Sequence, residues 1–262
     1  MSPLTAAAIG GVAGFSIFLG LPVARVRRMP AALQGFLNAL ALGVLIFLLW
    51  DILSHASSPV EGSLAAVRQG RPGSFLALAG IFAGGLGLGL LALVYFNRQL
   101  LRRAKGVGGP ASPHGLAMAI ATGLGFHNLS EGLAIGQSAA RNEVSLALVL
   151  IIGFGLHNAT EGFGIVAPLA VEDARPSWSF LLLLGLVGGG PTFLGTIVGR
   201  SFVNETLFVA FLALAAGSIL YVVIQLLNVA YKMGHKEMLM WGILGGLVAG
   251  FATDFVLTAA GV

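Results

Sequence analysis

Long apolar stretches alternate with short clusters of charge and proline along the whole chain. Dividing the chain at those clusters leaves segments close to the roughly 20 residues that an α-helix needs to cross about 30 Å of hydrocarbon. We therefore predict an all-α integral membrane protein, a single domain over residues 1–262, with eight transmembrane helices. The predicted spans are 4–24, 31–54, 73–97, 114–139, 145–169, 177–199, 206–231 and 238–260.

Composition supports a membrane location and excludes several other classes. Apolar residues make up 57% of the 262 positions, with only 14 basic and 10 acidic residues, which is not the composition of a soluble domain. Long, mostly apolar stretches without a charged residue, such as Ala31 to Trp50, do not fit the alternating strands of a β-barrel. The chain has no cysteine, so any metal site must use nitrogen and oxygen ligands. Its basic residues lie between apolar stretches, so we expect no nucleic-acid partner.

The distribution of Lys and Arg between alternate loops predicts the orientation in the membrane. Ten of the 14 basic residues fall on one side of the eight predicted spans. They are Arg25, Arg27, Arg28, Arg98, Arg102, Arg103, Lys105, Arg175, Lys232 and Lys236, against Arg68, Arg71, Arg141 and Arg200 on the other side. Because basic loops stay in the cytoplasm, we predict a multi-pass protein of the cytoplasmic (inner or plasma) membrane with both termini extracytoplasmic.

One octapeptide pattern, G-x-H-N-x-[ST]-E-G, occurs in both the fourth and the fifth span at an offset of 30 residues. His and Glu at positions i and i+4 lie on one helix face with Cβ atoms about 5–6 Å apart, so both can face one cation. Two neighbouring helices would then supply two nitrogen and two oxygen ligands, enough for a tetrahedral site. The candidate metal-binding residues are His127, Asn128, Glu131, His157, Asn158 and Glu161.

The ligand types narrow the choice of ion. Imidazole with carboxylate suits Zn²⁺, Fe²⁺, Mn²⁺, Co²⁺ and Ni²⁺, whereas Mg²⁺ and Ca²⁺ prefer all-oxygen sites and Cu⁺ prefers sulfur. Water or Met118 would complete the coordination. The alternative reading of each pair is a buried His–Glu hydrogen bond that holds helices together, but this role does not require matching Asn, Ser/Thr and Gly at the same offsets.

Two further acids lie within or at the ends of predicted spans. Asp51 and His55 form another i, i+4 pair at the external end of the second span, and Asp254 in the eighth span lies near the same side. We expect either a solvated helix end or an entrance site, since acids at a channel mouth raise the local concentration of cations.

On these motifs the chain resembles the ZIP (Zrt/Irt-like) family of divalent metal transporters, in particular its prokaryotic GufA-like branch. The resemblance implies Zn²⁺ as the preferred substrate, with Fe²⁺, Mn²⁺, Co²⁺, Ni²⁺ and Cd²⁺ as others, and transport into the cell. It also implies an inverted repeat of spans 1–3 and 6–8 around spans 4 and 5, and a homodimer. Many members carry a glutamate before a proline in span six; this chain has Gly190 before Pro191, so a second metal site is not expected.

The sequence therefore favours a transporter of divalent transition metals and not an enzyme. An intramembrane zinc-dependent hydrolase is the alternative, because bound Zn²⁺ activates water and a glutamate acts as general base. Against it, both glutamates occupy equivalent positions in the repeat, so neither stands out as the base. A purely structural role for the polar pairs would predict no bound metal.

Overall fold

A computed structural model describes residues 2–25, 31–105, 113–166, 169, 176–232 and 236–259, and these residues contain helices and no strand. The helices are α1 (Pro3–Phe15), α2 (Ala31–Gly62), α3 (Leu64–Arg68), α4 (Gly73–Lys105), α5 (Pro113–Ala140), α6 (Val144–Val166), α7 (Trp178–Arg200), α8 (Glu205–Lys232) and α9 (Lys236–Ala259). Two 3₁₀ turns, Ser16–Leu19 and Leu21–Arg25, continue from α1. The predicted all-α class is thus confirmed.

Seven stretches in the described residues are long and apolar enough to cross a membrane, where the sequence predicted eight. The missing one is the fourth predicted span. It does form a 28-residue helix, α5, but its polar cluster of His127, Asn128, Ser130 and Glu131 lowers its hydropathy. These four side chains are at most 4% exposed, so they are enclosed by neighbouring helices and do not face the surroundings of the bundle. The positions of the termini, the inverted repeat and the homodimer stay predictions.

Several helices extend beyond the predicted spans. The second span was expected to end at residue 54, but α2 continues to Gly62 with Pro59 inside it. Likewise α4 continues to Lys105. Hydropathy marks where a chain leaves the hydrocarbon, and a helix is free to continue into water beyond that point. Pro191 lies inside α7.

A tight turn makes α5 and α6 an antiparallel helical hairpin. Asn142 in the turn has φ of 59°, a left-handed conformation that Asn tolerates better than most residues. His127 precedes Asn142 by 15 residues and His157 follows it by 15. Since both helices rise about 1.5 Å per residue, the two histidines lie at nearly the same height on facing helices.

Glycines let α5 lie directly against the backbone of α7. A Cβ at Gly125 would collide with the carbonyl oxygen of Val187, and one at Gly132 would collide with that of Thr192. From the other side, Gly195 presses on the carbonyl oxygen of Leu129. Such contacts without intervening side chains are typical of helix packing in membranes. They hold the motif-bearing part of α5 close to α7.

The packing of α5 on α7 yields a prediction about stability. Gly132→Ala should lower the free energy of unfolding by about 1–3 kcal/mol, because the added methyl must push the two helices apart. Gly87→Ala is the matched control, since a Cβ at Gly87 meets nothing within 4 Å. Unfolding of the two variants in detergent, followed by circular dichroism, measures the difference. Equal stability of the two variants would contradict the packing.

Candidate metal centre

The two copies of the motif meet inside the bundle, where α5 and α6 face each other. His127, Glu131 and His157 are at most 1% exposed, and Glu161 is 7% exposed. Charged and imidazole groups are seldom buried this completely without a partner. The helical hairpin therefore brings together four potential ligands that the sequence predicted for one site.

The side chains converge through one nitrogen of each imidazole and one oxygen of each carboxylate. Within each helix, Nε2 of the histidine lies 3.0 Å from Oε1 of the glutamate four residues later, for His127 with Glu131 and for His157 with Glu161. Between helices, Nε2 of His127 lies 3.7 Å from Oε1 of Glu161, and Nε2 of His157 lies 3.9 Å from Oε1 of Glu131. The two Nε2 atoms are 3.4 Å apart.

These separations suit a small cation. Tetrahedral bonds of about 2.0–2.2 Å to Zn²⁺ place the ligand atoms about 3.3–3.6 Å from one another. Ligand atoms of His127, His157 and Glu161 all lie within 4.8 Å of one another, which makes these three residues a candidate metal-binding group. Glu131 adjoins this group through both imidazoles.

Buried oxygen atoms without donors surround this group. Both carboxylate oxygens of Glu131, Oε1 of Glu161, and the amide oxygens Oδ1 of Asn128 and Asn158 receive no hydrogen bond within the described part of the chain. The groups nearest to two of these oxygens are imidazole nitrogens, since Oε1 of Glu131 lies 3.0 Å from Nε2 of His127 and Oε1 of Glu161 lies 3.0 Å from Nε2 of His157. A buried acceptor without a partner costs about 1–3 kcal/mol, and more when it is charged. A cation is the group that would satisfy several such acceptors at once.

The asparagines brace the site through their amide nitrogens. Asn128 Nδ2 donates to Oε2 of Glu161 at 3.1 Å and to the carbonyl oxygen of Gly188 at 3.0 Å. Asn158 Nδ2 donates to the carbonyl oxygen of Ala13 at 3.0 Å. Asn128 thus joins α5, α6 and α7, and it holds one oxygen of Glu161 while the other points to the histidines. Only the Oδ1 atoms of the two asparagines remain available to an ion.

The hydroxyl residues of the two copies make different contacts. Ser130 donates to the carbonyl oxygen of His127 at 2.6 Å and lies 2.7 Å from the hydroxyl of Ser218 on α8. Thr160 donates to the equivalent carbonyl oxygen, that of His157, at 2.6 Å. Thr160 also lines a cavity, whereas Ser130 is 4% exposed and packed between helices.

A cavity of about 420 Å³ leads to the metal centre from one side. His127, His157 and Glu161 form part of its wall, and Glu131 does not. Its other walls come from α2, α4, α5, α6 and α8, with Asn38, Tyr221 and Gln225 among the polar lining residues. Because the lining residues of α5 precede the histidine and those of α6 follow it, the cavity lies on the side away from the Asn142 turn.

The opposite side of the centre, toward the Asn142 turn, is closed by apolar side chains. Leu48, Ile135, Leu150 and Phe154 are at most 1% exposed and belong to one hydrophobic cluster. Ile135 lies one helical turn beyond Glu131, and Phe154 lies about one turn before His157. Within the described residues, the centre is therefore open toward the cavity and closed toward the turn.

Other residues proposed from the sequence lie away from this group. Met118 precedes His127 by nine residues, about 14 Å along α5, and packs against a separate apolar cluster with Ile17 and Ala117, so the structure does not bring it to the site. Gly190 carries no side chain, and a Cβ there would meet nothing within 4 Å.

Asp51, His55 and Asp254 form a smaller polar group between α2 and α9. Asp51 is 5% exposed and lies inside α2, not at its end. Its Oδ1 lies 3.5 Å from Nδ1 of His55, and it interacts electrostatically with Asp254. Asp51 follows Asn38 by 13 residues, about 20 Å along α2, so this group lies toward the opposite end of the bundle from the cavity.

The sequence did not identify Ser218, Asn38, Gln225 or the carbonyl oxygen of Gly188 as parts of the site. Single polar residues in apolar helices were the available signal for the first three. Gly188 gave no such signal, because any residue has a main-chain carbonyl oxygen.

No protein-family model matches the chain, and no curated protein is significantly similar to it. The similarity to ZIP transporters therefore remains a prediction from the motifs.

The geometry predicts that the purified protein binds one divalent ion in this group. Wild-type protein should bind about one equivalent of Co²⁺, with the visible absorption of a four- or five-coordinate site. His157→Gln should abolish this binding, because one of the two convergent imidazoles is lost. His114→Gln, an exposed histidine near the start of α5, serves as the control. Equal binding by the two variants would show that the ion is held elsewhere.

Proposed function

We propose that this protein transports divalent transition-metal cations, Zn²⁺ foremost, across the cytoplasmic membrane into the cell. The observation that carries the proposal is the group of buried acceptor oxygens without donors around two convergent imidazoles, between apolar helices and at the closed end of a cavity. A site that binds an ion at this depth and is accessible from one side is what an alternating-access transporter requires.

The charge of the ligands supports a divalent substrate. Two carboxylates and two neutral imidazoles carry a charge of −2, which a divalent cation neutralises. A monovalent ion would leave a net charge in a low-dielectric interior, where an unpaired charge costs several kcal/mol. Nitrogen and oxygen ligands at about tetrahedral separations favour Zn²⁺ and its first-row neighbours over Mg²⁺ and Ca²⁺.

The distribution of charge supports an orientation in which the cavity faces the cytoplasm, and the resemblance to ZIP transporters supports transport into the cell. The cavity opens between the amino-terminal half of α2 and the carboxyl-terminal halves of α4, α6 and α8. Basic residues Arg25, Arg98 and Lys236 belong to the same side of the predicted topology, which the positive-inside rule assigns to the cytoplasm. The ion then enters past Asp51, His55 and Asp254, is held by the motif residues, and leaves through the cavity. For the site to open to the other face of the membrane, the apolar side chains that close it toward the Asn142 turn must separate.

The similarity to ZIP transporters agrees with this proposal in substrate, direction and ligand residues. It also suggests that two copies of the chain associate in the membrane. We propose a single principal metal site, since Gly190 provides no side-chain ligand at the position where many ZIP proteins have glutamate.

A metal-dependent hydrolase is the second candidate, and one observation favours it. Glu161 lines the cavity and Glu131 does not, so the two glutamates are not equivalent in the structure. An ion held by His127, His157 and Glu131 would leave Glu161 beside the cavity, where a general base is needed. Stoichiometric metal binding without flux, together with metal-dependent hydrolysis, would favour the hydrolase.

Transport through the cavity can be tested by filling it. Gly164 lines the cavity, and a Cβ there would meet nothing within 4 Å, so Gly164→Leu should place a side chain in the path without a clash at Cβ. We expect Gly164→Leu to reduce Zn²⁺ uptake into proteoliposomes at least about tenfold. The fluorescence of a trapped zinc indicator measures uptake.

Gly87→Leu is the control for this experiment, because Gly87 has open space at Cβ but does not line the cavity. The variant His157→Ala/Glu161→Gln provides a second reference without the metal site. Undiminished uptake by Gly164→Leu would contradict passage through this cavity. Equal uptake by the wild type and by empty vesicles would contradict transport itself.

A further inference from the structure

We propose that the two glutamates of the repeated motif have different roles. Glu161 exchanges the ion with the cavity, through which the ion leaves during uptake, whereas Glu131 retains the ion on the closed side. This inference rests on the proposed transport function. It assigns different roles to two glutamates that occupy the same position in the two copies of the motif.

The first argument is the direction of the two helices. In both copies the glutamate follows the histidine by four residues, about 6 Å along the helix. Since α5 and α6 are antiparallel, this displacement points toward the Asn142 turn for Glu131 and away from it for Glu161. The two histidines lie at nearly the same height, so the two carboxyl groups approach them from opposite sides.

The second argument is access. Glu161 lines the cavity and is 7% exposed, whereas Glu131 is 0% exposed and lies outside the cavity wall. Beyond Glu131 toward the turn stand Ile135 and other buried apolar residues. An ion arriving through the cavity thus reaches the carboxylate of Glu161 before that of Glu131.

The third argument is what lies beside each glutamate. Ser130, next to Glu131, is linked to Ser218 on α8 across 2.7 Å. Ser218 in turn lies in a part of α8 that packs against α4 without intervening side chains, since a Cβ at Gly89 would be 3.0 Å from its amide nitrogen. Thr160, the counterpart of Ser130, faces the cavity instead. The turn that carries Glu131 is therefore linked to α8 on the side of its serine, whereas the turn that carries Glu161 borders the cavity at the matching position.

These positions predict different kinetic effects of removing each charge. An ion passing between cavity and site contacts Glu161 in the transition state but has already left Glu131. Loss of the Glu161 charge should therefore slow association, because that charge also attracts the cation into the cavity. Loss of the Glu131 charge should destabilise the bound ion but not the transition state, and so should speed dissociation.

The experiment compares Glu161→Gln with Glu131→Gln in purified full-length protein. Stopped-flow mixing with Co²⁺ gives the association rate constant, and chase with excess EDTA gives the dissociation rate constant. We expect Glu161→Gln to lower the association rate constant about tenfold or more, with dissociation changed less than about threefold. We expect the reverse pattern for Glu131→Gln. Changes in the same rate constant by the same factor in both variants would overturn the proposal.

A second measurement leaves all four ligands intact and guards against misfolded glutamine variants. The chain has no cysteine, so Thr160→Cys and Ser130→Cys each introduce a single thiol at matched positions of the two copies. A charged, water-soluble methanethiosulfonate reagent should modify Thr160→Cys at least about tenfold faster than Ser130→Cys. Equal rates of modification would show that both copies are equally accessible, against the proposal.

The outcomes separate this inference from the proposed function. Absence of stoichiometric Co²⁺ binding by the wild type would remove the metal site and with it both proposals. Wild-type binding and uptake, combined with equivalent behaviour of the two glutamine variants, would leave transport standing and reject the division of roles.

Discussion

Burial of carboxylates between helices at lipid depth is the constraint on which this structure depends. A charged residue at the middle of a membrane helix costs about 2.5–3.5 kcal/mol on insertion scales, and here two glutamates flank the same pair of imidazoles. Hydrogen bonds within the described residues leave most of their oxygens unsatisfied. Enclosure of α5 by α6, α7 and α8 shields these carboxylates from lipid, and under the proposed function a divalent cation neutralises their charge.

Enclosing α5 requires helices to approach closely, and glycine makes that approach possible. The chain has 39 glycines, many of which meet a neighbouring backbone directly, as Gly132 and Gly195 do between α5 and α7. Close approach also allows short polar side chains to reach other helices. Asn128 contacts the carbonyl oxygen of Gly188, and Asn158 contacts that of Ala13, because no larger side chain separates the helices. Packing and site geometry therefore have a common origin.

Much of this arrangement could be predicted from the sequence, because its main elements follow from local periodicity. The i, i+4 spacing puts His127 with Glu131 and His157 with Glu161 on shared faces, and the 30-residue offset predicts a hairpin that opposes them. The helix ends could not be predicted, since hydropathy marks the membrane boundary and not the last helical residue. Met118 was placed near the site by helix membership alone, although nine residues correspond to about 14 Å.

Other features of the site depend on long-range packing and therefore have no local signature. Ser218 looks like any single serine in an apolar helix until α8 packs against α5. The difference between Glu131 and Glu161 is likewise not visible in the repeat, because two copies of one pattern acquire different surroundings when their helices run in opposite directions. Two copies of one motif on antiparallel helices therefore place their glutamates in different surroundings.

The number of residues between each histidine and the Asn142 turn determines whether the two imidazoles meet. The two histidines face each other because equal numbers of residues separate each from Asn142. One residue inserted within either helix would rotate one imidazole by about 100° and lift it by about 1.5 Å. Such a change would dismantle the centre without altering any ligand. The number of residues between each histidine and the turn is therefore as important to the candidate metal centre as the imidazoles themselves.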